Sequence, residues 1–175
     1  MPTLRAGIIG AGFIGSVHAY AVRASGGVVT QVADHSPEAA AHAAVRLGAR
    51  SGAESAEALI ASDDVDVVHI CTPNDTHYDL ALAAMKAGKA VICEKPLAMT
   101  AERAAILAQT AEATGAVTAV PFVYRFYPSV REAKHRISSG QAGELWMLHG
   151  SYLQDWLSSP QETNWRVDPA KGGGS

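Results

Sequence analysis

Cysteine is scarce in this 175-residue sequence: Cys71 and Cys93 are the only two. Two thiols cannot build a disulfide framework, and these two have no metal-ligand spacing. They end neighbouring predicted strands and read as small buried side chains rather than a redox pair. Aromatic residues make up only 6%. Neither charge sign dominates, the net charge being −3 and the pI about 6.1. With no basic stripe to draw phosphate, the charge balance argues against a nucleic-acid or anionic-membrane surface. No apolar run approaches the roughly 18 residues of a membrane span. Met1-Pro2-Thr3-Leu4-Arg5 lacks the apolar stretch of a signal peptide, so a cytoplasmic location is expected. Neither a Gly-x-Ser-x-Gly elbow nor a His-Glu-x-x-His helix occurs, which argues against hydrolases.

What is present is a regular alternation. The hydrophobic fraction is 48%, enough for a packed core, and the length allows one domain or one and part of a second. Short β-branched runs at Leu4–Ile9, Val28–Ala33, Val65–Ile70, Ala90–Cys93 and Val117–Phe122 read as strands. Ala-rich helical stretches separate them. Ser36-Pro37-Glu38 opens one helix with a cap and an N1 proline, and Gly48 closes it. Thr76 to Asp79 has capping-box spacing, and Thr100 caps a further helix ending near Gly115. Strands joined by crossover helices imply a parallel sheet covered on both faces. The expected fold is α/β, a Rossmann-type doubly wound sheet over residues 1–122.

Past Phe122 the rhythm changes. A polar helix is expected over 129–139 and a strand over Glu144–Tyr152, followed by aperiodic sequence to Gly172-Gly173-Gly174-Ser175. Residues 123–175 thus read as the incomplete start of an α+β substrate domain.

Gly10-Ala11-Gly12-Phe13-Ile14-Gly15 is a G-x-G-x-x-G directly between a strand and a helix. Gly10 permits the tight turn, Gly12 lets backbone approach a pyrophosphate, and Gly15 lets the helix pack on the strand. The helix start, at Phe13 and Ile14, offers N–H groups to the phosphates. Asp34 ends the second strand about 20 residues on, where a carboxylate accepts from the adenosine ribose hydroxyls. That carboxylate disfavours a 2′-phosphate, so NAD is preferred over NADP. His35 and Ser36 leave the second cofactor open.

Two strand-end turns complete the pattern: Cys71-Thr72-Pro73-Asn74 and Glu94-Lys95-Pro96. In open α/β sheets ligands sit outside the carboxyl ends of strands, so both turns face the cofactor cleft. Lys95 is placed to touch a reacting carbinol; the alternative is a surface lysine. With His77, and with Trp165-Arg166 ahead of the glycine run, these motifs resemble the glucose–fructose oxidoreductase / inositol dehydrogenase / MocA family in order and along essentially the whole chain. The stretch Ser151-Tyr152-Leu153-Gln154-Asp155-Trp156 looks like members acting on sugars and polyols. The resemblance implies that Lys95 hydrogen-bonds the hydroxyl being oxidised, with Tyr152 on the substrate. It implies that Thr72, Asn74, His77 and Glu94 line the nicotinamide ribose. Arg125, Trp165 and Arg166 would then sit where cofactor meets substrate. It also implies a homo-oligomer built through the second domain. The family's Asp and His motif follows the glycine run, and the sequence stops before it, as expected of a fragment.

Several residues are assigned no chemistry. His18 falls on the apolar face of the first helix and reads as a packing residue. His42, His135 and His149 share no metal spacing, and Arg131, Lys134 and Arg136 form a solvated face. No metal is expected. The leading function is an NAD-dependent sugar or polyol oxidoreductase. The alternative is a non-catalytic dinucleotide-binding module or NAD-sensing regulator; a methyltransferase leaves Lys95 without a job.

Overall fold

The computed structural model describes residues 3–155 and 157–171. Trp156 and the run Gly172 to Ser175 lie outside the described residues.

Six parallel strands form one sheet: β1 (Arg5–Ile9), β2 (Val28–Ala33), β3 (Ser51–Gly52), β4 (Val67–Ile70), β5 (Ala90–Cys93) and β6 (Thr118–Ala119). Their order is β3-β2-β1-β4-β5-β6, so the chain reverses direction across the sheet between β1 and β4. The helices are α1 (Phe13–Ala24), α2 (Pro37–Leu47), α3 (Ala56–Ala61), α4 (His77–Lys86), α5 (Ala101–Thr114) and α6 (Pro128–Ser138). This is a Rossmann-type sheet, as the alternation predicts.

β4 shows why the sheet is buried on both faces. All four residues are buried, and their alternation splits them. Val68 and Ile70 join Leu59, Met85 and Leu107 on the face covered by α3, α4 and α5. Val67 joins Ala19, Val22 and Leu47 under α1 and α2. Alanine at Ala19, Ala40, Ala43 and Ala84 lets the helices sit close to the strands. The caps act as their spacing predicts: Ser36 Oγ accepts from the Ala39 N–H and Thr100 Oγ1 from the Arg103 N–H, each at 3.2 Å.

Four expectations are corrected. β4 begins at Val67, because the Val65 N–H turns back to the Ser62 carbonyl instead of joining the ladder. β6 spans two residues, since Pro121 has no N–H and Phe122 bonds back to Val120. Thr76 does not cap α4. It sits in a helical turn over Asn74–Thr76, its hydroxyl 2.8 Å from the Pro73 carbonyl. Residues Glu144–Tyr152 form no strand: no described strand pairs with them, so nothing satisfies a ladder. Trp146 and Leu148 are 91% and 97% exposed there.

The short strand β3 was not expected, since Ser51 and Gly52 have no strand propensity; pairing to Gln31 and Val32 creates it. No helix among the described residues is long and apolar enough to cross a membrane.

Candidate functional site

The carboxyl ends of β1, β2, β4 and β5 open on one cleft of about 1800 Å³. That exceeds the roughly 300–1,000 Å³ of a drug-sized ligand and suits a dinucleotide with a second small molecule beside it.

The glycine turn forms one wall. Gly10 has φ +90°, and its N–H donates to the Ala33 carbonyl at 2.9 Å. A Cβ on Gly15 would meet the Gly10 carbonyl oxygen at 2.2 Å, so α1 closes directly on the turn. Around Gly12 there is nothing within 4 Å of a Cβ position; that side faces the open cleft. Gly12 caps α1 with no side-chain bond, leaving first-turn N–H groups for an anion. The Ala11 peptide is tied at both ends: its N–H donates to Asp34 Oδ2 at 3.1 Å, and its carbonyl accepts from the Arg46 guanidinium.

Asp34 stands at the end of β2. Its Oδ1 accepts from the His35 N–H at 2.8 Å and lies 2.9 Å from His35 Nδ1. Burial acts to raise the carboxyl, but the bonds from His35 and Ala11 outweigh it and hold Asp34 below the usual carboxylate value. It is therefore an anionic acceptor near neutral pH.

The opposite wall is made by the two strand-end turns. Thr72, Pro73 and Asn74 follow β4, and Glu94 and Lys95 follow β5, with Lys95 exposed. His77 joins the turns from behind. It is 1% exposed, with Nδ1 2.7 Å from the Pro96 carbonyl oxygen and Nε2 2.9 Å from that of Thr72. Its ring is thus used on backbone. Carbonyls only accept and the ring is assured one N–H, so leucine leaves at least one carbonyl without its donor, at about 1–3 kcal/mol. His77→Leu is therefore expected to cost roughly 1–3 kcal/mol or more in urea unfolding. An unchanged midpoint would show that water replaces the ring.

Glu94 is fixed from three sides. Its N–H donates to the Ile70 carbonyl at 3.0 Å, Oε2 accepts from the Lys95 N–H at 3.1 Å, and Oε1 lies 3.2 Å from His18 Nε2. Burial pushes the carboxyl up, yet the bonds from His18 and Lys95 outweigh it and keep it below the usual glutamate value. Burial pushes the Cys71 thiol up as well, and that of Cys93 up to about 12, so both are neutral and free of a disulfide.

The far rim comes from the later residues. Tyr152 places its hydroxyl 3.0 Å from that of Tyr124. The Arg166 guanidinium stacks over the Trp165 ring, 4.4 Å from its centroid. Of the residues singled out in the sequence, Gly10, Gly12, Phe13, Ile14, Asp34, His35, Thr72, Pro73, Asn74, His77, Glu94, Lys95, Tyr152, Trp165 and Arg166 line the cleft. Gly15 lies behind the turn, and Arg125 sits on an exposed turn beside Tyr124 without reaching the cleft lining. Sequence reasoning missed Arg46, Tyr124 and His69. A histidine inside the apolar run of β4 was the available signal for the last.

Fold and cleft together define a Rossmann-type domain with a cleft of dinucleotide size at the carboxyl ends of its strands. Residues 4–122 match the GFO/IDH/MocA oxidoreductase family, NAD-binding Rossmann fold, and residues 130–175 match the GFO/IDH/MocA C-terminal domain. The chain belongs to this family. It is 37% identical to levoglucosan dehydrogenase of Pseudarthrobacter phenanthrenivorans, over 99% of this chain and 47% of that protein. It is 40% identical to inositol 2-dehydrogenase of Rhizobium meliloti, over 83% of this chain and 44% of that protein. A levoglucosan dehydrogenase structure, in complex with NADH and levoglucosan, superposes with a TM-score of 0.90 at 37% identity, covering 98% of this chain and 49% of that one. The chain spans about half the length of the curated relatives it matches.

Proposed function

We propose that this chain is the cofactor-binding half of an NAD(H)-dependent oxidoreductase of sugars, polyols or related carbinols. The reaction is assigned to a protein of the relatives' full length. One observation carries the reading: the glycine turn, Asp34 and Lys95 converge on a single cleft at the carboxyl ends of the strands. The similar levoglucosan dehydrogenase, solved in complex with NADH and levoglucosan, supports the substrate class.

Residues 1–122 act as the dinucleotide domain and 123–175 begin the substrate domain, in a cytoplasmic protein. The first-turn N–H groups at Phe13 and Ile14 receive the pyrophosphate, and Asp34 accepts from the adenosine ribose. Thr72, Asn74 and Glu94 border the nicotinamide ribose, and His77 holds their turns together. The nicotinamide, when bound, supplies the hydride acceptor. Lys95 donates a hydrogen bond to the carbinol oxygen and stabilises its alkoxide character, while Tyr152, Trp165 and Arg166 border the substrate side. The exposed apolar residues around Trp146 supply surface for association into a homo-oligomer.

Asp34 gives the direct test. Its carboxylate gains ribose bonds with NADH and repels a 2′-phosphate, each worth roughly 1–3 kcal/mol. The chain is expected to bind NADH at least tenfold more tightly than NADPH in calorimetric titration, and Asp34→Ala is expected to narrow that gap. Equal affinities for the unmutated chain would overturn the cofactor assignment.

A further inference from the structure

Behind the cleft, two histidines that no step of the proposed reaction uses form a hydrogen-bonded line to Glu94 and Lys95. His69 projects from the middle of β4, and its Nδ1 lies 2.9 Å from Nδ1 of His18 on α1. The rings meet edge to face, with centroids 5.2 Å apart. His18 continues through Nε2 to Glu94 Oε1 at 3.2 Å, and Glu94 Oε2 holds the Lys95 N–H at 3.1 Å. Both histidines are buried, His18 at 8% exposure and His69 at 5%.

Central strands of parallel sheets take valine or isoleucine at such positions, because a buried polar ring costs free energy unless its nitrogens are bonded. His69 is kept neutral, pushed down to about 4 chiefly by burial and further by the His18 ring. The protons can then be placed. Ionised Glu94 only accepts, so His18 Nε2 must carry a hydrogen. Between the two Nδ1 atoms one must donate and the other accept. If His18 is neutral, its Nδ1 is bare and His69 carries hydrogen on Nδ1. If His18 is cationic, it donates, and His69 carries hydrogen on Nε2. The line closes in both cases, and His18 faces Glu94 with an N–H throughout. The other titratable groups around Glu94 are Lys95 and the neutral thiols of Cys71 and Cys93.

We propose that His18, oriented by His69, is a positioning residue that fixes the Glu94 carboxylate and through it the backbone at Lys95. The importance of that backbone rests on Lys95 being the group that meets substrate; the hydrogen-bond line itself does not.

The test uses the 175-residue chain and needs no turnover. Ring-nitrogen NMR of 15N-histidine-labelled chain near neutral pH is expected to show His18 protonated at Nε2 and His69 neutral, with one ring N–H. His69→Leu removes the orienting partner and is expected to speed hydrogen exchange of the Lys95 amide at least tenfold, leaving the Ile8 amide in β1 unchanged. His69→Asn restores a polar atom at the Nδ1 position and is expected to return the Lys95 amide to within about threefold of its original rate. A purely structural role for His69 would move Ile8 and Lys95 together. A bare His18 Nε2, an unmoved Lys95 amide in His69→Leu, or no rescue by asparagine would each overturn the proposal. Should His69→Leu fail to fold, the ring-nitrogen spectrum of the unmutated chain still decides. A full-length protein that turns over sugars without Lys95 would instead overturn the assigned reaction.

Discussion

Lys95→Met is expected to lower hydride transfer roughly 10²–10³-fold in a full-length protein carrying this chain, with NADH affinity changed by less than about threefold. The asymmetry follows from where Lys95 stands. It is exposed at the end of β5, on the wall opposite the glycine turn. Its backbone N–H is engaged by Glu94, which fixes the backbone from which the side chain lines the cleft. A cation beside a carbinol oxygen stabilises charge that grows only as hydride leaves, and such transition-state contacts appear in kcat rather than in ground-state binding. Single-turnover absorbance of NADH with levoglucosan or myo-inositol measures the step, and fluorescence titration measures affinity. A variant that keeps full rate would remove Lys95 from the chemistry. One that loses NADH affinity in proportion would make it a cofactor contact.

The second large effect concerns two glycines three residues apart. Gly15→Ala is expected to destabilise the chain by about 3 kcal/mol or more, because a Cβ 2.2 Å from the Gly10 carbonyl oxygen forces backbone apart. Neither partner is a side chain that can swing away. Gly12→Ala is expected to leave stability within about 0.5 kcal/mol, since its Cβ meets nothing within 4 Å, yet to weaken NADH binding at least tenfold by filling the pyrophosphate's space. Urea denaturation and NADH titration on both variants check the split. A stable Gly15→Ala, or a Gly12→Ala with unchanged affinity, would contradict the roles given to the turn.

Local signals decided how much could be read without the structure. The Ser36 and Thr100 caps and the Gly48 and Gly115 stops are short-range features, and each appears where its spacing places it; the buried run of β4 appears too, shortened to Val67–Ile70. The G-x-G-x-x-G turn and Asp34 were legible because their spacing follows from backbone geometry. What was missed depends on distant partners. β3 exists only through its pairing to β2, and Glu144–Tyr152 has strand character without a described strand to pair with. Thr76 follows the capping spacing, but its hydroxyl lies instead beside the Pro73 carbonyl and Thr72 hydroxyl. Arg46 and His69 act across helix and sheet packing, which no sequence window contains. Tyr124 is a similar case: its partner Tyr152 lies 28 positions further on.

The double tie on Ala11 has a consequence for how the cofactor meets the protein. With its N–H held by Asp34 and its carbonyl by Arg46, the turn takes its shape when the chain folds, so the ordering entropy falls on folding and not on association. The same linkage runs backwards. A dinucleotide that recognises only this preset turn stabilises the folded state by RT ln(1 + [L]/Kd), so melting temperature becomes a gauge of cofactor concentration. In a cell, the lifetime of the protein would then rise and fall with the pool of its own cofactor.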